Sequence, residues 1–422
     1  MKTYLFSIGM LLLANLSGCG SNKKSSEEIA QNPQDAISLS IYNSTNMNRV
    51  DESVFLAVDD LKAYNSSFNE YAFVLWDSEK EIPSQAIDSD NDGFYESIIF
   101  NINIGSYETK ELKIKYSSKG RIKKIYKKRT QADLSNKVGG EFVENKYIGG
   151  TFKNVEYLKL PNEHTDHSEF IRYEGVGWES DKVGYRSYLD WRNAVDVFGK
   201  RTKKMVLQNV GQDGFESYHH LSDWGMDILK VGESLGLGSI ATWSDEQTNR
   251  VSKTDSVDCS IMENGSLYSQ IMIRYFGWDF GGEPIDLAST ISISAGSRIT
   301  KNHISLSNEV SNICTGIAKH EKSKYFTGNY KDGWNYIATY GLQSLAGDKL
   351  GLAIFFNTDN LIEYKQDNLN YLVLLSPENK TVEYYYCSAW EKEADGIKSF
   401  DAFKKYLDDE IEKMNHPIEI IF

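Results

Sequence analysis

Ile37-Ser38-Leu39-Ser40-Ile41-Tyr42 alternates apolar and polar side chains with a period of two. That is the signature of a strand with one buried and one wet face, because successive side chains leave a pleated backbone on opposite sides. Three more short runs follow: Tyr71-Ala72-Phe73-Val74-Leu75-Trp76, Ser97-Ile98-Ile99-Phe100-Asn101-Ile102 and Glu111-Leu112-Lys113-Ile114-Lys115-Tyr116. Polar turns separate them and no 3.6-residue period competes, so residues 37–129 are expected to form a small β-sandwich. Residues 130–150, polar and closing on Gly149-Gly150, read as a linker. From 151 to 422 strands dominate again, for example Tyr268–Tyr275, Thr290–Ser294, Leu350–Phe356, Tyr371–Leu375 and Val382–Tyr386. One helix is expected over 399–414, where Phe403, Tyr406, Leu407, Ile411 and Met414 recur at helical spacing and Ser399 caps the start. The expected fold is therefore mainly β. It combines a small N-terminal β-sandwich with a large antiparallel β-sandwich, supersandwich-like, and a C-terminal helix.

Composition agrees. The chain has 422 residues, 40% hydrophobic and 13% aromatic, enough for two packed cores and too much for disorder. A net charge of −14 has the wrong sign for neutralising phosphate backbones, so no nucleic-acid partner is expected. With 26 Tyr and 8 Trp, the chain is rich in side chains that stack on sugar rings.

The N-terminus reads as an address. Lys2 precedes the apolar stretch Phe6–Leu16, too short for a mature membrane span, and Leu16-Ser17-Gly18-Cys19 resembles a bacterial lipobox. Residues 1–18 are expected to be a lipoprotein signal peptide, Cys19 the lipidated residue, and 19–36 a flexible tether. The membrane is thus a partner through a lipid anchor. Gly20-Ser21-Asn22-Lys23-Lys24 lacks early acidic residues, which favours an outer-membrane anchor facing the periplasm. Cys259, Cys314 and Cys387 read as buried hydrophobes.

Two charged segments stand apart. Asp88-Ser89-Asp90-Asn91-Asp92-Gly93 places carboxylates on alternate residues before a glycine, a pattern that wraps a hard cation. Twelve positions from its start stands Ile99, so it is not an EF-hand; Asp88, Asp90 and Asp92, with Glu96, are expected to hold at most a structural Ca²⁺. Residues 121–129 hold six basic side chains in nine and read as a solvated strand rather than a patch for an anionic polymer.

The chemistry is expected within 164–243. Four of the seven histidines fall there, among Arg172, Glu174, Trp178, Glu179, Tyr185, Arg186, Asp190, Arg192, Asp223, Trp224 and Trp243. Tyr218-His219-His220 is the densest cluster; if extended, Tyr218 and His220 share one face and His219 takes the other. Asp166-His167 and His164 offer a second acid–base group. Arg186 and Arg192, beside Tyr185 and Tyr188, have the composition of a clamp for an acidic sugar. Glu174 and Glu179 leave a glycosidase pair open.

Several of these segments together resemble a known family. They are Arg172-Tyr173-Glu174-Gly175-Val176-Gly177-Trp178-Glu179-Ser180-Asp181, Gly184-Tyr185-Arg186, Asp196-Val197-Phe198-Gly199-Lys200, Tyr218-His219-His220 with Trp224-Gly225, Gly347-Asp348-Lys349-Leu350-Gly351, and Ser388-Ala389-Trp390-Glu391-Lys392-Glu393. Ile82-Pro83-Ser84-Gln85 and the Asp88–Gly93 turn match its N-terminal part. The sequence resembles exported proteins of long-unassigned function that accompany polysaccharide-degrading enzymes and include an oligosaccharide dehydratase of ulvan breakdown. The resemblance implies loss of water from a glucuronic or iduronic acid at the non-reducing end, next to a sulfated rhamnose, giving a 4,5-unsaturated uronyl end. Such a β-elimination needs a base for the C5 proton, an acid for the C4 hydroxyl and a cation on the carboxylate. His220 or Tyr218 is the expected base and His219 or His167 the acid. Arg186 or Arg192 is expected on the carboxylate, with Trp178, Trp224 and Tyr185 against the ring. No cofactor is required for this chemistry. A glycan-binding lipoprotein, a polysaccharide lyase or a glycoside hydrolase is the alternative reading.

Overall fold

The computed structural model describes residues 33–214, 216–279 and 282–422. The leader, Cys19 and the start of the tether lie outside the described residues. Among those described, the architecture is mainly β with one long helix near the C-terminus.

The alternation at 37–42 lies in strand Asp35–Tyr42, with Ile37, Leu39 and Ile41 buried. This strand belongs to a five-stranded antiparallel sheet in the spatial order 419–421, 35–42, 109–116, 73–77, 80–82. A three-stranded sheet, 49–57, 97–104, 84–87, accompanies it. Val54, Phe73, Leu75, Phe100 and Ile114 join the three inward residues of 37–41 in one core. Ile98 and its neighbour Ile99 are both buried because the three-stranded sheet is covered on two sides: Ile98 enters this core, and Ile99 packs against Leu267 and Ala295 of the next unit.

Two segments differ from expectation. Residues 130–150, read as a linker, are strands: Thr130–Asp133 is buried, and Ser135–Val143 pairs with Lys146–Asn154 in a hairpin. Gly149 and Gly150, read as the end of that linker, belong to the hairpin. Gly140 faces Gly149, and a Cβ on Gly140 would lie 2.2 Å from the Ile148 carbonyl oxygen, so this close approach requires glycine. The last strand, Glu419–Ile421, returns to pair with Asp35–Tyr42, and Ile418 and Ile420 pack on the N-terminal core. Three residues are too few to show a period.

The larger unit is built on a nine-stranded sheet, ordered 157–159, 256–264, 268–278, 285–294, 299–306, 381–390, 350–357, 334–341, 323–327. Two five-stranded sheets accompany it, 225–227, 195–200, 184–188, 175–180, 130–133 and 247–250, 241–244, 313–318, 370–375, 361–366. Ile271, Ile273, Ile291, Ile293, Val373 and Tyr386 meet Trp178, Tyr185 and Val197 in one continuous core. Leu350–Asn357 reads as an unbroken apolar run because it is covered twice. Leu352, Ile354 and Phe356 face that core, while Ala353 and Phe355 face helix Phe400–Asn415 through Phe403, Leu407 and Ile411. The helix cap is as expected: Ser399 Oγ accepts from the Ala402 N–H at 3.2 Å. Cys259, Cys314 and Cys387 are buried and free.

Candidate functional site

The strands of the 130–227 sheet are buried on both faces, which is why their periodicity is weak in the sequence. Alternation still sorts them. Trp178, Tyr185, Val197 and Met226 point into the core, and Asp133, Glu179, Arg186, Asp196 and Asp227 take the opposite face. Segments 164–174 and 201–224 supply partners to that polar face. Charges so placed must be paired. Arg172 pairs with Asp133, and Lys200 pairs with Glu179, which also accepts from the N–H groups of Val206 and Leu207 at 2.7 and 2.9 Å.

Arg186 is the hub. Its side chain is 1% exposed and donates to Asp196 at 2.7 Å and to Asp227 at 2.6 Å. It also donates to the hydroxyls of Tyr218 at 2.8 Å and Tyr188 at 2.9 Å, and to the Tyr173 carbonyl at 3.2 Å. Burial, and then the neighbouring Asp227, push Asp196 up to about 6 against the pull of Arg186. His219 joins the outer side: its Nε2 stands 3.4 Å from Asp227 and its side chain is 38% exposed. The hydrogen bond to Asp227 raises its pKa, with burial opposing. Tyr218 is buried, with its ring 4.7 Å from that of His219. Its phenol is pushed up to about 12, mostly by burial.

A second cluster adjoins the first. His167 Nδ1 lies 2.5 Å from Asp166 and 3.8 Å from Glu174. Arg192 reaches Asp166 at 3.0 Å, Glu174 at 3.1 Å and Asp190 at 2.5 Å. Burial, the largest influence, raises Asp166 and works the same way on Glu174, but Arg192 and Arg186 outweigh it and hold Glu174 low. His167, Tyr173 and Glu174 all take left-handed φ, at 56°, 41° and 63°, strain that functional sites commonly store. A cavity of about 280 Å³ opens here, lined by His167, Glu174, Tyr173, Phe152 and Lys137 and by the Gly211–Gly214 turn. The two clusters are continuous, because the Glu174 charge acts on the Tyr218 phenol and a Cβ on Gly211 would meet the Tyr218 ring at 3.4 Å.

Tyr218, His219, His167, Arg186 and Arg192 thus converge, but not in the roles expected. Residues 217–219 form a 3₁₀ turn instead of a strand, so alternation fails: Tyr218 and His219 both turn to the network and His220 faces solvent. Arg186 has every guanidinium nitrogen engaged by Asp196, Asp227, two tyrosine hydroxyls and the Tyr173 carbonyl, and Arg192 spends its Nε and Nη2 on Asp190, Asp166 and Glu174, so both serve the network's carboxylates first. Trp178 and Tyr185 belong to the core face, stacked 5.8 Å apart, with Trp178 Nε1 donating to Thr300 and the Tyr185 hydroxyl donating to the Arg298 carbonyl. They cannot touch a ligand. Trp224 is half-buried, edge-on to Phe198. His164 is held down to about 4 by burial and is neutral. Glu179 is locked to Lys200, which removes the Glu174–Glu179 glycosidase pair. Sequence reasoning missed Asp196, Asp227 and Lys137. The first two sit in short polar strands, and Lys137 in the stretch read as linker. At the Asp88–Gly93 turn, oxygens of Asp88, Asp90, Asp92 and Glu96 lie within 4.8 Å of one another, close enough to share one cation.

Residues 41–420 match a family described as a domain of unknown function, DUF4861. The chain belongs to this family. An uncharacterised protein, P7, of Formosa agariphila is 21% identical over 408 residues, covering 90% of this chain and 92% of that one. Two solved structures from Enterococcus faecalis are also similar. One, a protein of glycosyl hydrolase family 38, has a TM-score of 0.49 at 10% identity over 92% of this chain; the other, an α-mannosidase, has a TM-score of 0.46 at 9% identity. The chain spans only about half of either, 47% and 46%.

Proposed function

We propose that this protein is an oligosaccharide dehydratase. It eliminates water across C4 and C5 of a uronic acid at the non-reducing end of an ulvan-type sulfated oligosaccharide and leaves a 4,5-unsaturated uronyl end. One observation carries the reading: two solvent-reaching imidazoles, His167 beside Asp166 and His219 beside Asp227, belong to adjoining clusters that Arg186 joins by donating to the Tyr173 carbonyl next to Glu174. A β-elimination needs one group to take a proton and another to give one, and a carboxylate behind an imidazole fixes which nitrogen does so.

Asp166 stands 2.5 Å from His167 Nδ1, and the His167 imidazole takes the C5 proton. The C5–H pair forms the C4=C5 bond, and hydroxide leaves C4 with a proton from His219, whose protonated form Asp227 favours. Lys137, whose one ion pair among the described residues is with the exposed Glu169 at 3.4 Å, turns to the uronate carboxylate, and Phe152 and Tyr173 wall the ring. The base role expected of His220 passes to His167. Outside this site, the Asp88–Gly93 turn is proposed to hold structural Ca²⁺. The leader and Cys19 support a lipid anchor at the outer membrane, facing the periplasm. Among the described residues no helix is long and apolar enough to cross a membrane.

The test is turnover of a uronyl-terminated oligosaccharide, followed by absorbance of the new double bond. His167→Ala and His219→Ala should each lose roughly 10²–10⁴ in kcat/KM, and His220→Ala less than about threefold. Full activity in either of the first two variants contradicts the assignment.

A further inference from the structure

The basic run 121–129 is an anomaly in a chain of net charge −14, and the candidate site does not use it. It runs as an extended strap pinned near both ends, where the Ile122 N–H donates to the Tyr71 carbonyl at 3.0 Å and the Arg129 N–H to the Ser266 carbonyl at 2.8 Å. Against it opens a cavity of about 450 Å³, larger than the one at His167. Tyr71, Tyr95 and Tyr126 supply aromatic wall, and Arg121, Lys123 and Lys124 supply positive charge. The Tyr71 and Tyr95 rings lie 5.0 Å apart, with the Arg121 guanidinium 4.5 Å above Tyr71.

Lys124 marks the place where something is wanted. Its ammonium sits 3.3 Å over the Phe73 ring and 3.4 Å from Ser84 Oγ, and no carboxylate among the described residues is within 4 Å of it. Burial pushes it down to about 7, with Glu81 opposing. Lysines in another cavity, of about 500 Å³, differ: Lys301 pairs with Glu383 at 2.6 Å and Lys413 with Glu410 at 2.8 Å. A half-buried cation facing an aromatic cavity gains most from an anion mounted on a ring, because the ring covers the tyrosines while the charge meets the ammonium out of water.

We infer that this strap and cavity form a second saccharide site, which holds a sugar ring bearing a sulfate or a carboxylate away from the chemistry at His167. A concave aromatic site suits a ring better than a flat anionic membrane, and the inference stands whether or not the protein is a dehydratase.

Calorimetry on the whole purified protein tests it with a sulfated galactan tetrasaccharide, which has no uronate to eliminate, and with a tetrasaccharide whose one uronate is internal between neutral sugars. The unsulfated tetrasaccharide and phosphatidylglycerol vesicles are the controls. Saturable binding of either anionic probe, weakened several-fold by raising salt, is expected, and the tighter probe names the anion. Lys124→Met should weaken it at least about tenfold and the exposed Lys123→Ala a few-fold, while His167→Ala binds as the parent does. If Lys124→Met fails to fold, Lys123→Ala carries the test. Equal binding of the neutral sugar, unchanged binding in the lysine variants, or binding to vesicles alone overturns the inference.

Discussion

Replacing Arg186 by methionine tests whether the polar face of the 130–227 sheet is held together as described. The guanidinium is buried and neutralises two carboxylates, Asp196 and Asp227, that are equally buried. Methionine fills comparable volume, so a cavity contributes little. What remains is two carboxylates facing each other out of water. Breaking a buried ion pair by removing one partner costs about 3–5 kcal/mol, which for a chain this long lowers Tm by on the order of 10 °C. The loss must depend on pH. Asp196 titrates at about 6 with the arginine present, above the ordinary carboxylate value, so in the folded state it opposes stability as pH rises through that range. Without the cation its pKa climbs further, and the penalty grows from pH 5 to pH 8. Thermal melts followed by circular dichroism over that range measure both effects. Adding Asp196→Asn to Arg186→Met removes one charge and should recover about half of the loss. A drop under about 1 kcal/mol that is flat in pH refutes the reasoning.

Three further outcomes follow from the same structure. His219 has its pKa raised by Asp227, so its contribution is fully present below the unfolded value near 6.5 and is lost as pH rises through the folded value; His219→Gln should flatten that part of the stability–pH curve, which melts at several pH values will show. Ser399→Ala removes the hydroxyl that accepts from Ala402 and should cost about 1 kcal/mol in urea unfolding, with little effect on turnover. Adding Ca²⁺ should raise Tm with a midpoint set by its affinity, and Asp92→Ala should abolish the rise; identical melts with Ca²⁺ and with a chelator exclude the site.

Much of this architecture was legible in residues 37–42 and in runs such as Tyr268–Tyr275, because a sheet buried on one face writes its period into the sequence. The C-terminal helix was legible for the same reason, with Ser399 marking its start. The candidate site was located but not resolved. Strands 175–180, 184–188 and 195–200 are covered on both sides, so their polar face reads like a loop, and nothing in the order of residues tells that Trp178 and Tyr185 turn inward while Arg186 turns to carboxylates. His220 was misplaced because a single 3₁₀ turn at 217–219 rotates the pair His219-His220 out of strand register. Lys137 lay within a hairpin that its glycines disguised as a linker.

The most direct measurement is the product mass. Incubating the protein with an oligosaccharide ending in a non-reducing uronic acid should yield a single product lighter by one water, at full chain length. Two shorter saccharides, or unaltered starting material under saturating enzyme, would contradict elimination at C4–C5.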